Sequence, residues 1–450
     1  MINCAAPRGG TEIPMSLLFT CSVCPGVELS VLESDRHKQN TLSVSFRLGI
    51  RPGEAAMISL LPYVLRCGTE HYPDMASLSR QYDLLYAARI EPTRTRRGDV
   101  EYFGFTCSMI RQDYVPDGTD ILSGVISLLH ELLFCPRTEN DAFVSAFVEN
   151  EKAMLTDAIR SRINNKIAYA VNRCAEEMCR DELYGLPETG SEEEVRAVTP
   201  QALYDFYRTV WERAQIRIFF SGECDRDALI SEMRTLFLPI SHPDIPCPQT
   251  QVIRRASGDV RTVTERQPVN QSKLALGFRT GQILADEDYL AFSLFRCLYS
   301  SSPTSKLFMN VREKLSLCYY CFAVPEAQKG LMVVTAGIQR ENAERTKEEI
   351  LRQWKEVCRG EFTDGALEDA RRALINAYRE LTDNPSGLES WYTARAMAGI
   401  TRSPEDEIAM VAALTRDDVI ASANKLTPDT FYLMEGTAEH DEEEEPDHAD

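Results

Sequence analysis

Apolar and polar residues alternate through "GVELSVLES" (Gly26 to Ser34) and again through "NTLSVSFRLGI" (Asn40 to Ile50). A period of two predicts two strands, with the intervening "SDRHKQN" as a hairpin loop that holds His37. The apolar run "MSLLFTCSVC" just before them is short, is interrupted by Thr and Ser, and flows into the next strand. It therefore reads as a strand rather than a signal peptide. The period then lengthens. "EAAMISLLPYVLRCG", "MASLSRQYDLLYAA" and "DGTDILSGVISLLHELL" predict helices, and one long helix is expected from about Asn140 to Cys179. The strand "VEYFGFTCSMI" falls among them. Thr199-Pro200 reads as an N-cap followed by proline at the first helical position, opening "TPQALYDFYRTVW". The strand "IRIFFSG" closes the first half.

The second half repeats this plan. "LSVSFRLG" (Leu42 to Gly49) is echoed by "LALGFRTG" (Leu274 to Gly281), and "TPQALYDFY…IRIFFSG" by "TRDDVIASA…TFYLMEG". Between the copies, "LPISHPDIPCPQTQ" places four prolines in fourteen residues, a linker signal. The expected architecture is α+β: two tandem homologous domains, each a mostly antiparallel sheet flanked by helices. The domains are placed at residues 1–245 and 246–436, with an acidic tail over 437–450.

Composition narrows the partners. The 450 residues are 44% hydrophobic and 26% charged, which is the make-up of a globular protein of two or three domains. A net charge of −20 disfavours nucleic acid and anionic membrane, because phosphate would be repelled. Part of that charge is local, since "EHDEEEEPDHAD" at the end reads as a solubilising tail. No stretch approaches the length of a membrane span. Fourteen cysteines without a paired framework fit a reducing cytoplasm. Two C-x-x-C pairs, Cys21/Cys24 and Cys318/Cys321, lie in strand-like text without knuckle glycines, so neither reads as half of a zinc ribbon. Their redox role is left open.

Two stretches carry a family resemblance. "GTEHYPD" is similar to the Gly-Thr-x-x-Tyr-Pro turn of the insulinase–pitrilysin family of inverted zinc peptidases, and "SKLFMNVREKLSLCYY" to a segment of that family's second half. "LLPYVLRCGT", "LYAA", "ENEKAML" and "CAEEMC" resemble most a zinc-less bacterial branch described as associated with 5-aminopentanol modification of elongation factor P. The resemblance spans roughly residues 27 to 436 and implies the insulinase-type metallopeptidase-like fold. In active members His-x-x-Glu-His ends five residues before the glycine of the turn. That register puts the three motif positions at Ser59, Pro62 and Tyr63. The third zinc ligand, a Glu downstream of a Glu-Lys pair, falls at Ala158, beside Asp157.

A catalytic zinc needs three nitrogen, oxygen or sulfur ligands and an open position for water, and a base to take the water's proton. Ser59 is a feeble neutral ligand, Tyr63 a phenol that is protonated at neutral pH, and Ala158 has no donor atom. Pro62 replaces the base and removes a helical N–H, which is expected to kink the helix. No metal and no cofactor are expected there, and no catalytic residue.

A decoy lies beside it. On a continuous helix Cys67 and His71 would share a face, with Glu70 as base and Glu149 as a third ligand, and this would make a zinc endopeptidase. Gly68, Thr69 and Pro73 oppose helix through that stretch and favour a turn with His71 in solvent. His130-Glu131 in "LLHELLF" lacks a second His one turn on and reads as an amphipathic helix. No phosphate loop or nucleophile elbow occurs. "YSSSPTSKLF" lacks the glycine-rich loop by which some inactive family subunits contact substrate.

The resemblance leaves one functional element intact. Arg312 and Tyr319 match a family Arg–Tyr pair that holds the substrate backbone near the scissile carbonyl. A cationic fork and a neutral hydroxyl can both donate to a carbonyl oxygen. Alternatively Arg312 caps a helix and Tyr319 packs on a strand. With the zinc positions lost and this pair kept, the resemblance implies a non-catalytic subunit. It would enclose peptide or unfolded protein together with a zinc-bearing homologue as a heterodimer. A binding scaffold in translation-factor modification is the other reading.

Overall fold

The computed structural model describes residues 18–238 and 245–437. The acidic tail beyond Thr437 and part of the proline-rich linker lie outside the described residues. The first half contributes strands β1 (Leu18–Cys24), β2 (Val27–Glu33), β3 (Gln39–Gly49), β4 (Arg89–Arg97), β5 (Val100–Ile110), the two-residue pair β6 (Thr138–Glu139) and β7 (Ala142–Phe143), and β8 (Gln215–Gly222). Its helices are α1 (Ala55–Arg66), α2 (Met75–Leu84), α3 (Ile121–Phe134), α4 (Ser145–Ser161), α5 (Lys166–Met178), α6 (Glu192–Ala197), α7 (Pro200–Arg213) and α8 (Arg226–Phe237). The second half contributes β9 (Arg261–Gln267), β10 (Ser272–Arg279), β11 (Cys318–Glu326), β12 (Leu331–Ile338) and β13 (Thr427–Gly436). Its helices are α9 (Tyr289–Arg296), α10 (Ala343–Cys358), α11 (Asp364–Glu380), α12 (Pro385–Met397), α13 (Pro404–Ala413) and α14 (Arg416–Ala423). Two π-helical segments, Cys297–Ser301 and Leu307–Lys314, lead from α9 into β11.

The fold is α+β. The first sheet runs β1-β2-β8-β3-β5-β4, and the second β11-β12-β10-β13-β9. Each is antiparallel except at one pairing, β2 with β8 and β13 with β9. Leu42, Val44, Phe46, Phe103 and Phe105 face a core completed by α1, α3 and α7. Leu274, Leu276 and Phe278 face the second core, built on α9, α10 and α14.

The opposite faces of both sheets are covered by exchange. α5, from the first half, lies on β10, β12 and β13, with Cys174 against the Ala275 and Thr430 carbonyls. Gly277 permits that approach, since a Cβ there would sit 2.7 Å from the Met178 sulfur. In return α12 covers β8 and its neighbours. Tyr392 stacks on Phe219 at 6.3 Å, Ser43 bonds Glu389, and Tyr102 meets Met397. A buried ionic knot ties the halves. Lys329, fully buried, reaches Asp99 and Glu182 at 2.9 Å each and the Gln251 carbonyl at 2.7 Å. Arg279 reaches Glu182 at 2.6 Å and Asp429 at 3.0 Å.

Three elements differ from the expectation. The helix expected over Asn140–Cys179 is two helices, because Asn165 stops the run and caps the next one by accepting from Ala168 N–H at 3.0 Å. That break frees α5 to leave its own half. β2 and β3 do not form a hairpin, since β8 lies between them, so His37 sits in a crossing connection. β4 carries no strand signal in its sequence, because "RIEPTRTRR" is basic and holds Pro92. As an edge strand it tolerates proline, and Arg94 and Arg96 are paid by the buried carboxylate of Glu101.

Candidate functional site

α1 buries Ile58, Leu60, Leu61, Val64 and Leu65 and continues for four residues past Pro62. Pro62 is itself buried, in an apolar niche with Phe46, Phe103 and Trp211. The helix ends at Cys67, and the chain then turns. A Cβ on Gly68 would lie 2.7 Å from the Pro73 carbonyl oxygen, so the turn needs glycine. Thr69 N–H donates to the Tyr72 carbonyl at 2.7 Å, and Tyr72 N–H returns to the Thr69 hydroxyl at 3.0 Å.

Ser59 and Tyr63 from α1 meet Ala158 from α4 in one cavity of about 370 Å³, which Glu151, Met154, Leu155 and Arg94 also line. The cavity holds little coordinating chemistry. Ser59 spends its hydroxyl proton on the Ala55 carbonyl at 2.8 Å, and Met154, Leu155 and Ala158 supply apolar wall. Arg94, another lining residue, is paired with Glu101 at 3.0 Å. The Cys67 thiol, at the end of α1, is 3.5 Å from Glu151. Burial, and then the Glu151 carboxylate, push that thiol up to about 12, so it stays protonated at neutral pH.

The residues of the decoy diverge. Cys67 points to Glu151 on α4, whereas the His71 Nδ1 lies 3.1 Å from Glu131 on α3. Glu149 pairs with Lys152 at 3.0 Å. The turn at Gly68 and Thr69 removes the one-turn spacing that a continuous helix would have given Cys67 and His71. Cys21 and Cys24 lie half-buried on β1, at the edge of the first sheet. Among the described residues, one cluster brings three His, Cys, Asp or Glu ligand atoms within 4.8 Å of one another: His130, Glu131 and Cys135, at the end of α3.

Arg312 and Tyr319 share a second cavity, of about 400 Å³, with Glu313, Ser316, Leu317, Cys318, Gln339 and Asn342. Arg312 leaves the π-helical segment with its guanidinium 4.9 Å from the Phe308 ring centre and 3.6 Å from Glu313. Among the described residues it makes no side-chain hydrogen bond, and it lines the cavity with Glu313 as its ion-pair partner. Ser316 turns the chain in the left-handed region, at φ 50°. Strain of this kind at a non-glycine residue often borders a functional surface.

Tyr319 owes its position to a β-bulge. Cys318 pairs with Ile338 and Tyr320 with Gly337, so Tyr319 is the extra residue and projects 58% exposed. Bulges re-aim side chains in this way. The same bulge turns Cys318 and Cys321 to one buried face, where a regular strand would have set them on opposite faces. The Cys321 thiol hydrogen-bonds Cys318 and, with a lesser contribution from Arg312, draws Cys318 below the usual thiol range against the opposing effect of burial. Cys321 is pushed up in return.

The profile described as Peptidase M16 inactive domain matches residues 197–374. A Bacillus subtilis protein described as probable inactive metalloprotease YmfF is 29% identical over 421 residues, 92% of this chain and 96% of its own length. Both findings liken the chain to insulinase-type, or M16, peptidases. Solved structures agree in fold. A conserved protein from Enterococcus faecalis superposes with a TM-score of 0.87 at 24% identity, covering 95% of this chain and all of that one. A Pseudomonas fluorescens structure described as a peptidase M16 inactive domain gives 0.74 at 18%, covering 94% of this chain and all of that one. The matched domain and the Bacillus subtilis relative are both described as inactive. None of the chain's described helices is long and apolar enough to cross a membrane.

Proposed function

We propose that this M16 homologue is a non-hydrolytic subunit that holds extended peptide at Arg312 and Tyr319, against the zinc centre of a homologous partner chain. The observation that carries the reading is the open Arg312–Tyr319 cavity, set beside a first-half cavity without a zinc ligand set. β11 is an edge strand, so it can offer backbone donors and acceptors to an added strand. Its outward Phe322 and Val324, both partly exposed, extend the apolar surface beyond Tyr319. The fork of Arg312 and the hydroxyl of Tyr319 supply directional donors to a peptide carbonyl.

The test is steady-state peptide hydrolysis by a zinc-bearing M16 homologue encoded in the same genome, mixed with wild-type chain or with the Arg312→Ala/Tyr319→Phe variant. Each donor lost from a developing oxyanion costs about 2.7–4 kcal/mol, or about 100- to 1,000-fold in rate. The expected outcome is a fall in turnover of that order, with partner binding and circular dichroism unchanged. Loss of ground-state binding alone would raise KM and spare kcat. Unchanged values of both would favour a scaffold without a proteolytic role.

A further inference from the structure

The turn after α1 meets the end of α3 in a set of side chains that the peptide-holding role does not use. His130 and Glu131 lie on the last turn of α3, and Cys135 is its C-cap. The His130 Nδ1 is 3.9 Å from the Cys135 sulfur. Zinc bonds of about 2.0–2.1 Å to nitrogen and about 2.3 Å to sulfur, at a tetrahedral angle, put those two atoms about 3.6 Å apart. One ligand atom from each of His130, Glu131 and Cys135 lies within 4.8 Å of the others.

From the facing turn His71 brings its Nδ1 to 3.1 Å from both Glu131 oxygens. Its side chain is 70% exposed, so it can swing to complete a fourth position and leaves a path from solvent. Glu131 is also held from behind. The buried Thr69 hydroxyl accepts from Tyr72 N–H at 3.0 Å and donates to Glu131 Oε2 at 3.0 Å. Outer hydrogen bonds of this kind orient a ligating carboxylate.

We infer that His130, Glu131 and Cys135, joined by His71, form a structural site for a zinc-class divalent ion. One thiolate, two imidazoles and one carboxylate are a donor set that suits zinc and excludes magnesium or calcium, which take oxygen ligands. Binding exchanges the Cys135 thiol proton for the metal and releases that proton to solvent.

The ion would clamp a seam already laced by backbone, where Glu70 N–H donates to the Cys135 carbonyl at 2.9 Å and Arg137 N–H to the Gly68 carbonyl at 3.2 Å. It would fix the turn that ends α1 without entering the degenerate cavity. The inference does not rest on the peptide-holding role.

The test is titration of the metal-stripped full chain with Co2+, a spectroscopic substitute for zinc, followed by thermal unfolding with and without Zn2+. The expected result is one equivalent of tetrahedral cobalt with a thiolate charge-transfer band. Cys135→Ser should abolish that band, and His130→Gln should abolish or displace it. His71→Ala, which removes the fourth ligand, should weaken binding by at least the roughly 10- to 100-fold that loss of an outer-shell partner costs. Cys67→Ser should change nothing. Zn2+ should raise the unfolding midpoint of the wild type but not of Cys135→Ser, by mass action. Absence of a thiolate band, or a band that survives Cys135→Ser, would overturn the inference. A band lost in Cys67→Ser instead would move the metal to the end of α1.

Discussion

The two cavities are nearly equal in size, about 370 and 400 Å³, and opposite in chemistry. The first gathers Ser59, Tyr63 and Ala158 from two helices with the geometry of a site and little of its reactivity. The second gathers Arg312 and Tyr319 from a π-helical segment and a bulged strand, with donors left open. Even their thiols differ: Cys67 is pushed up by burial and Glu151, whereas Cys318 is drawn down by Cys321 and Arg312. Walls that position side chains are present at both cavities, and the side chains they carry set the two chemistries apart.

The two cavities keep their walls while the halves hold one another in place, and the ionic knot is one of the ties between them. Lys329→Met leaves Asp99 and Glu182 as buried carboxylates that have lost a cation, a change that costs about 3–5 kcal/mol. Urea unfolding should show a midpoint lowered accordingly, more than for any exposed Lys→Met control. A neutral result would mean that α5 and α12 alone hold the halves.

The thiols sharpen the chemical contrast. Because the thiolate is the nucleophile, iodoacetamide at mildly alkaline pH should label Cys318, which lines its cavity, well before Cys67. Arg312→Gln removes a cation that favours the Cys318 thiolate, so its rate profile should move to higher pH. Glu151→Gln removes a repelling carboxylate, so the Cys67 profile should move lower. Peptide mapping by mass spectrometry reads both, and shifts of opposite sign to these would contradict the electrostatic account.

The smallest effect tests the duplication. Thr199 caps α7 by accepting from Ala202 N–H at 3.2 Å, and Thr415 caps α14 by accepting from Asp418 N–H at 3.3 Å. Either Thr→Ala change should cost about 1 kcal/mol. Thermal unfolding should find the two losses alike.

The Thr199 cap was legible in the sequence, because Thr-Pro acts over a few residues, and the repeat set Thr415 opposite it. The alternating strands β2, β3 and β5, the helices α1 and α3, and the duplicated plan were legible for the same reason. What escaped depends on partners distant in the chain. Asn165 breaks a helix that periodicity would continue, and only the second sheet explains where α5 goes. The Tyr319 bulge is set by pairing with β12, so nothing local shows that Cys318 and Cys321 share a face. His130-Glu131 read as plain amphipathic helix because Cys135 is five residues on and His71 sixty residues back.

The central claim is that the second cavity binds peptide and the first is silent. Fluorescence anisotropy of a labelled, unstructured peptide against the full chain tests it directly. Arg312→Ala/Tyr319→Phe should weaken binding about tenfold or more, equivalent to about 1.4 kcal/mol. Ser59→Ala/Tyr63→Phe should leave it unchanged. Equal losses from both variants, or a loss confined to the Ser59/Tyr63 variant, would contradict the account.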